Sequence, residues 1–118
     1  MKTIELIAYM KNLGFTNKQS INFIENELQK EIETLPDNIY NSIKDKILEL
    51  FKKRVDDINF IKRLNNNIYD EEVLDIIELS QSVNRFESIG ASGRYLNCTW
   101  FDVGLIDGTS INVYWDRE

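Results

Sequence analysis

Residues 70–89, which read DEEVLDIIELSQSVNRFESI, contain the change of hydrophobic period that decides the fold. Up to about residue 83, apolar residues recur every three or four positions, as they do on one face of a helix. From residue 84 onward they alternate with other residues, as in a β-strand with one buried face. The sequence therefore predicts an α+β fold, in which about four helices (residues 1–83) precede a three-stranded antiparallel β-meander (residues 84–118).

Length and composition predict that both parts form a single domain over residues 1–118. Of the 118 residues, 42% are hydrophobic and 29% are charged, which is typical of one globular domain. Because three short strands are only marginally stable alone, we expect the meander to pack on the helices.

The first two helices have recognisable ends. Apolar spacing predicts a helix over residues 4–13, which Gly14 can end in the left-handed conformation. Thr16 and Gln19 have the spacing of a capping box, in which each side chain satisfies a free backbone donor at a helix start. Pro36 closes the second helix or begins the next. The apolar positions of the second helix are Ile21, Ile24, Leu28, Ile32 and Leu35.

The turn between these helices, Met10-Lys11-Asn12-Leu13-Gly14-Phe15-Thr16, resembles the first loop of ubiquitin-associated helical domains. In that family a Met-Gly-Phe-type turn joins two short helices. Leu13 stands where the family has its methionine, and Ser20 where it has a small residue early in the second helix. The resemblance implies a helical hairpin, which is also a general structure, so we infer no ubiquitin binding from it.

A third helical pattern extends from Asp37 to Leu64 and would be about 40 Å long if unbroken. Such a length predicts one of two arrangements. The helix either kinks near residues 54–57, or it projects and pairs with a partner. That partner could be a second copy of the chain, which would form a homodimer through residues 37–64. Asparagines at 65–67 are a plausible stop. Asp70 then caps a fourth helix that we expect to reach about Ser82.

The strands are predicted at residues 86–89, 94–103 and 109–115, with turns at 90–93 and 107–108. Because successive side chains of a strand point to opposite faces, the aromatic residues of the last two strands are predicted on both faces of the sheet. Phe101 and Trp100 lie on opposite faces of one strand, and Trp115 and Tyr114 on opposite faces of the other. Most of these rings should be in the core, but at least one is expected at the surface, where Trp and Tyr are frequent interface anchors.

Several kinds of chemistry lack their usual residues. The chain has no histidine, the commonest general base and metal ligand. Cys98 is the only cysteine and is expected to be a buried, unreactive thiol, so neither an intrachain disulfide nor a multi-cysteine metal site can form. Gly90 and Gly93 do not form a phosphate-binding loop. We therefore expect no cofactor, no metal and no catalysis, although carboxylates such as Glu87 and Asp102 leave a carboxylate-based enzyme as an alternative.

Charge and hydropathy bear on location and partners. No apolar run reaches the roughly 18 to 20 residues that a membrane-spanning helix needs. Glu5 interrupts the N-terminal apolar stretch where a signal peptide would begin, and a single cysteine is typical of a reducing compartment. We expect a cytoplasmic protein. The net charge of −6 argues against direct binding to nucleic acid or to anionic lipid.

The negative charge is concentrated in residues 68–83, which contain five acids and no lysine or arginine. Helical spacing places Glu71, Asp75 and Glu78 along one stripe. Two interpretations stay open: a solvated face, since acids in a first helical turn favourably oppose the helix dipole, or a stripe that faces a partner. The second predicts a basic protein partner, such as a nucleic-acid-binding protein. A basic cluster, Lys52-Lys53-Arg54 with Lys62 and Arg63, is expected to be an ordinary charged helix face.

Together these features favour a non-catalytic intracellular protein that occludes a macromolecular partner. Inhibitors of phage or mobile-element origin, including anti-defence proteins and toxin-immunity proteins, have this size and charge. An alternative is a protein that binds or sequesters a small ligand such as a nucleotide, in a pocket between sheet and helices lined by Tyr95, Trp100, Arg94 and Tyr114. The residues predicted to contact a macromolecular partner are Glu71, Asp75, Glu78, Trp100 and Tyr114.

Overall fold

The computed structural model describes residues 2–28, 35–64, 67–68, 70–92 and 95–116, with the backbone alone for 67–68, 90–92, 95–98 and 116. These residues form an α+β fold, as the sequence predicts, with five helices instead of four. The helices are α1 (Thr3–Asn12), α2 (Asn17–Leu28), α3 (Asp37–Arg54), α4 (Ile58–Lys62) and α5 (Glu71–Glu78). The strands are β1 (Asn67–Ile68), β2 (Val83–Ser92), β3 (Tyr95–Leu105) and β4 (Ser110–Asp116).

The predicted helix ends are confirmed where local hydrogen bonds define them. Gly14 follows α1 with φ of +96°, the left-handed conformation that glycine adopts most easily. At the start of α2 the backbone N–H of Gln19 donates to the Thr16 hydroxyl at 3.1 Å, and the backbone N–H of Thr16 donates to Oε1 of Gln19 at 3.0 Å. Asp70 caps α5 by accepting from the backbone N–H of Glu72 at 3.0 Å. The predicted continuation of α2 through residues 29–34 lies outside the described residues.

The helical pattern of residues 37–64 is not one helix. Of the two arrangements predicted, the structure shows the break, because α3 ends at Arg54 and α4 begins at Ile58. Asp57 causes the new start: its backbone is extended, and its carboxylate accepts from the backbone N–H of Asn59 at 3.0 Å. A projecting helix of about 40 Å is therefore absent, and the homodimer predicted through it stays untested.

The sheet contains four strands in the order β1-β4-β3-β2. The predicted antiparallel meander is confirmed in β2, β3 and β4, and the short β1 adds a parallel strand beside β4, where Asn67 pairs with Tyr114. The sequence analysis missed β1 because two residues cannot show a period. It also ended α5 too late, since the helix stops at Glu78, and it assigned residues 90–92 to a turn although Gly90 pairs with Trp100 inside β2.

One buried cluster contains side chains from both the helices and the sheet. Its fully buried members include Leu6, Phe51 and Ile77 from the helices, and Val103 and Val113 from the sheet. The valines show which sheet face packs on the helices. Because side chains alternate along a strand, residues 100, 102, 112 and 114 lie on the opposite face.

Candidate functional site

An open groove of about 700 Å³ lies between α3 and α5 and is lined mainly by acidic and apolar side chains. Five carboxylates and one ammonium group line it, so it is strongly negative. Leu79 is 82% exposed, although it belongs to the apolar part of the lining. The lining residues from α3 and the turn after it are Asp45, Leu48, Glu49, Lys52, Val55 and Asp56; those from α5 and the turn after it are Glu72, Asp75, Ile76, Leu79, Ser80 and Gln81.

One end of the groove lies near Tyr9 of α1. Burial, followed by the carboxylates of Asp70, Glu72 and Asp45 among other groups, raises the pKa of the Tyr9 phenol above its ordinary value. The hydroxyl is buried and finds no hydrogen-bond partner among the described residues, while the Lys44 ammonium lies 5.0 Å from the centroid of the ring. The phenol therefore stays neutral at physiological pH and adds no charge to the surrounding carboxylates.

The other end is closed by hydrogen bonds between the turns that follow α3 and α5. The Ser80 hydroxyl lies 2.9 Å from the carbonyl oxygen of Val55 and 3.2 Å from Oδ1 of Asp56. The backbone N–H of Gln81 donates to the same Oδ1 at 3.1 Å, and the Ser82 hydroxyl donates to the Asp56 carbonyl oxygen. Since Asp45 and Glu72 lie at the Tyr9 end, α3 and α5 run in the same direction along the groove.

The three acids of the predicted stripe are all exposed on α5. Asp75 lines the groove, whereas Glu71 and Glu78 are not among its lining residues and lie to one side of it on the helix. The buried side of the helix carries Val73 and Ile77, so the predicted division between an acidic and an apolar face is confirmed.

Trp100 and Tyr114 are brought together by the pairing of β3 with β4. They are cross-strand partners, and their ring centroids are 4.6 Å apart at an interplanar angle of 58°. Both lie on the sheet face that points away from the helices, and Trp100 is 37% exposed. The small-ligand alternative predicted that both residues line a pocket between the sheet and the helices. On the outer face of the sheet they do not line such a pocket. Arg94 lies outside the described residues, and Tyr95 is described by its backbone alone.

The carboxylates named for an enzymatic alternative occupy the same outer face. Glu87 of β2 and Asp102 of β3 are cross-strand partners, and Nη2 of Arg85 donates to Oδ2 of Asp102 at 2.8 Å. Gly104 makes this ion pair possible, because a Cβ atom there would lie 3.0 Å from Cβ of Arg85 and 2.9 Å from Oδ1 of Asn84. Asp102 therefore has a cationic partner on this face, and the carboxylate-based enzyme stays an untested alternative.

The predicted basic cluster is distributed among separate contacts. Nζ of Lys62 donates to Oδ2 of Asp107, in the turn between β3 and β4, at 2.7 Å. The Arg54 guanidinium lies 5.7 Å from the centroid of the Phe15 ring, and Lys52 lines the groove. Lys62, Arg54 and Lys52 therefore lie beside three different parts of the structure.

The described residues contain neither a metal-binding cluster nor a helix that could span a membrane. Within residues 2–28, 35–64, 67–68, 70–92 and 95–116, no group of three or more Asp, Glu, Cys or His side chains is placed to hold a metal ion. In that part of the chain no helix is both long and apolar enough to cross a bilayer. Cys98 is described by its backbone alone, so the burial of its thiol stays a prediction.

Sequence reasoning missed most of the groove. It identified Asp75 but not the carboxylates that face it from α3, Asp45 and Glu49, nor the partly buried Ile76 and the exposed Leu79. A signal was present: Asp45 and Glu49 are four residues apart and so share a helix face. That this face lies beside the acidic side of α5 depends on packing between elements far apart in sequence.

Comparisons of the chain with models of protein families, with curated proteins and with solved structures found no match.

Proposed function

We propose that this chain is a non-catalytic binding protein that occludes a basic surface of a macromolecular partner. The observation that supports this most strongly is the composition of the groove, where five carboxylates face one ammonium group around an exposed leucine. Clustered carboxylates produce a negative potential that attracts a cationic partner. Glu71 and Glu78 extend the negative surface along α5 beyond the groove.

The partner that fits is a basic protein, such as one that binds nucleic acid. A row of carboxylates can occupy a cationic surface that otherwise holds phosphates, because both groups present negative oxygens to Lys and Arg. We place this inhibition in the cytoplasm, where a chain with a single cysteine is stable as a free thiol. An anti-defence protein of a phage or mobile element, or a toxin-immunity protein, would act in this way.

The proposal is tested by capturing partners from a bacterial lysate on the immobilised protein and on two double variants. Glu49→Gln with Asp75→Asn removes one carboxylate from each side of the groove. Glu25→Gln with Glu87→Gln removes the same charge from exposed positions elsewhere. We expect a basic protein to bind, to be released as salt rises, and to be lost only with the groove variant. A partner that binds both variants equally, or that ignores salt, would contradict the proposal.

A further inference from the structure

The groove also indicates the shape of the segment that it receives. It extends from Asp45 on α3 to Asp56, two residues beyond the end of that helix. At about 1.5 Å per residue this length is roughly 16 Å, or three helical turns. The far end is fixed, because the hydrogen bonds between Asp56 and the turn after α5 hold the two helices together there.

The floor of the groove favours a helix over an extended segment. Its apolar lining comes from two helices that run in the same direction, with Leu48 from α3 and Ile76 from α5, and from Leu79, the exposed residue that follows α5. Helical walls offer no free strand edge, so an extended segment would bury backbone N–H and C=O groups without partners. A helix satisfies these groups internally and can pack its side chains between those of two neighbouring helices.

The charges on the α3 and α5 sides of the groove indicate which residues a bound helix must carry on its surface. Asp45 and Glu49 lie on the α3 side, and Glu72 and Asp75 lie on the α5 side. Carboxylates therefore flank an apolar floor on both sides. The complementary segment has one apolar stripe with lysine or arginine on either flank, which is the pattern of a cationic amphipathic helix.

We infer that the groove between α3 and α5 binds a cationic amphipathic helix of about three turns, with an apolar residue seated against Leu79. This inference rests on the proposed function and specifies the partner segment. A second copy of this chain does not fit the charge requirement, since each copy carries a net charge of −6.

The test uses a fluorescein-labelled helical peptide of about 14 residues built from leucine and lysine, with the leucines on one face. The comparison peptide has the same composition, with its leucines distributed around the helix. Fluorescence anisotropy measures both affinities for the intact protein. We expect the amphipathic peptide to bind at least about tenfold more tightly, because only its leucines can all reach the floor together.

Three variants locate the bound peptide. Leu79→Ala should weaken the amphipathic peptide about tenfold, while the melting temperature stays nearly unchanged because this leucine is exposed in the free protein. Asp75→Asn should weaken it and reduce its salt dependence. Glu25→Gln is the matched control, since it removes one charge from an exposed position on α2 outside the groove, and it should have little effect.

The outcomes separate the two proposals. If both peptides bind with equal affinity through the groove carboxylates, the helix inference is overturned and the proposed binding of basic partners survives. Equal losses from Asp75→Asn and Glu25→Gln would likewise overturn the groove as the binding site. If neither cationic peptide binds, both proposals fail.

Discussion

The Ser80 hydroxyl lies 3.2 Å from Oδ1 of Asp56 and joins the turn after α5 to the turn after α3. Ser80 and Asp56 are 24 positions apart in the sequence, and the contact closes one end of the groove. The same hydroxyl contacts the Val55 carbonyl oxygen and accepts from the backbone N–H of Ser82. Together with the bonds from Gln81 and Ser82 to Asp56, this buried oxygen connects the two helices that carry the acidic side chains.

Replacing this oxygen should destabilise the protein. Ser80→Ala leaves a buried carbonyl oxygen and a buried backbone N–H without their partner, and we expect a loss of about 1–3 kcal/mol in the free energy of unfolding. Urea denaturation measures it. Ser42→Ala is the matched control, because Ser42 is exposed on α3, and it should change stability by less than about 0.5 kcal/mol. Equal losses of unfolding free energy in the two variants would show that the hydrogen bonds of the Ser80 hydroxyl do not stabilise the fold.

The turn between β3 and β4 should make stability depend on acid pH. Hydrogen bonds from Lys62, and then from the side chain and backbone of Thr109, lower the pKa of Asp107 well below its usual range. A lowered pKa stabilises the folded state above the ordinary aspartate pKa of about 3.9, and this contribution is lost as the pH falls below that value. Melting temperatures between about pH 6 and pH 2 should therefore fall less steeply in Asp107→Asn than in the unmodified protein.

Two comparisons refine that measurement. Lys62→Met removes the largest cause of the lowered pKa and should flatten the acid dependence in part. High salt should reduce the contribution of Lys62 more than that of the Thr109 hydrogen bonds, because exposed charges are screened. An unchanged acid profile in Asp107→Asn would contradict the assignment.

The groove should bind cations better when its own cation is removed. Among the described residues that line it, Lys52 carries the one positive charge. Lys52→Gln should raise the affinity for the amphipathic cationic peptide by about two- to fivefold, and the gain should disappear at high salt. Lys18→Gln, at an exposed position on α2, is the matched control. Equal gains from both variants would indicate an effect of net charge alone.

The Trp100–Tyr114 pair should remain accessible when a peptide fills the groove. The pair lies on the sheet face opposite the helices, whereas the groove belongs to the helical layer. In Trp115→Phe, quenching by acrylamide reports Trp100 alone, and we expect the same quenching constant with and without the bound peptide. A lower constant in the complex would place the aromatic pair in the same interface as the acidic residues.

Much of the local structure could be predicted from the sequence. The Thr16–Gln19 capping box and the Asp70 cap depend on residues within a few positions of one another, and their hydrogen bonds formed as expected. The change of period near Val83 likewise marks the transition from helices to strands, because helical and strand faces repeat at different intervals. Only the short strand at residues 67–68 and some element ends escaped this reasoning.

The sequence by itself therefore determined the α+β class, most helix starts, and the placement of Trp100 and Phe101 on opposite faces of the sheet. Tertiary structure decided that Asp45 and Glu49 face the acidic side of α5 across a groove. The physical reason is the distance in sequence over which the relevant interactions act. Periodicity shows which residues share a face of one element, but the neighbour of that face is chosen by the packing of the whole core.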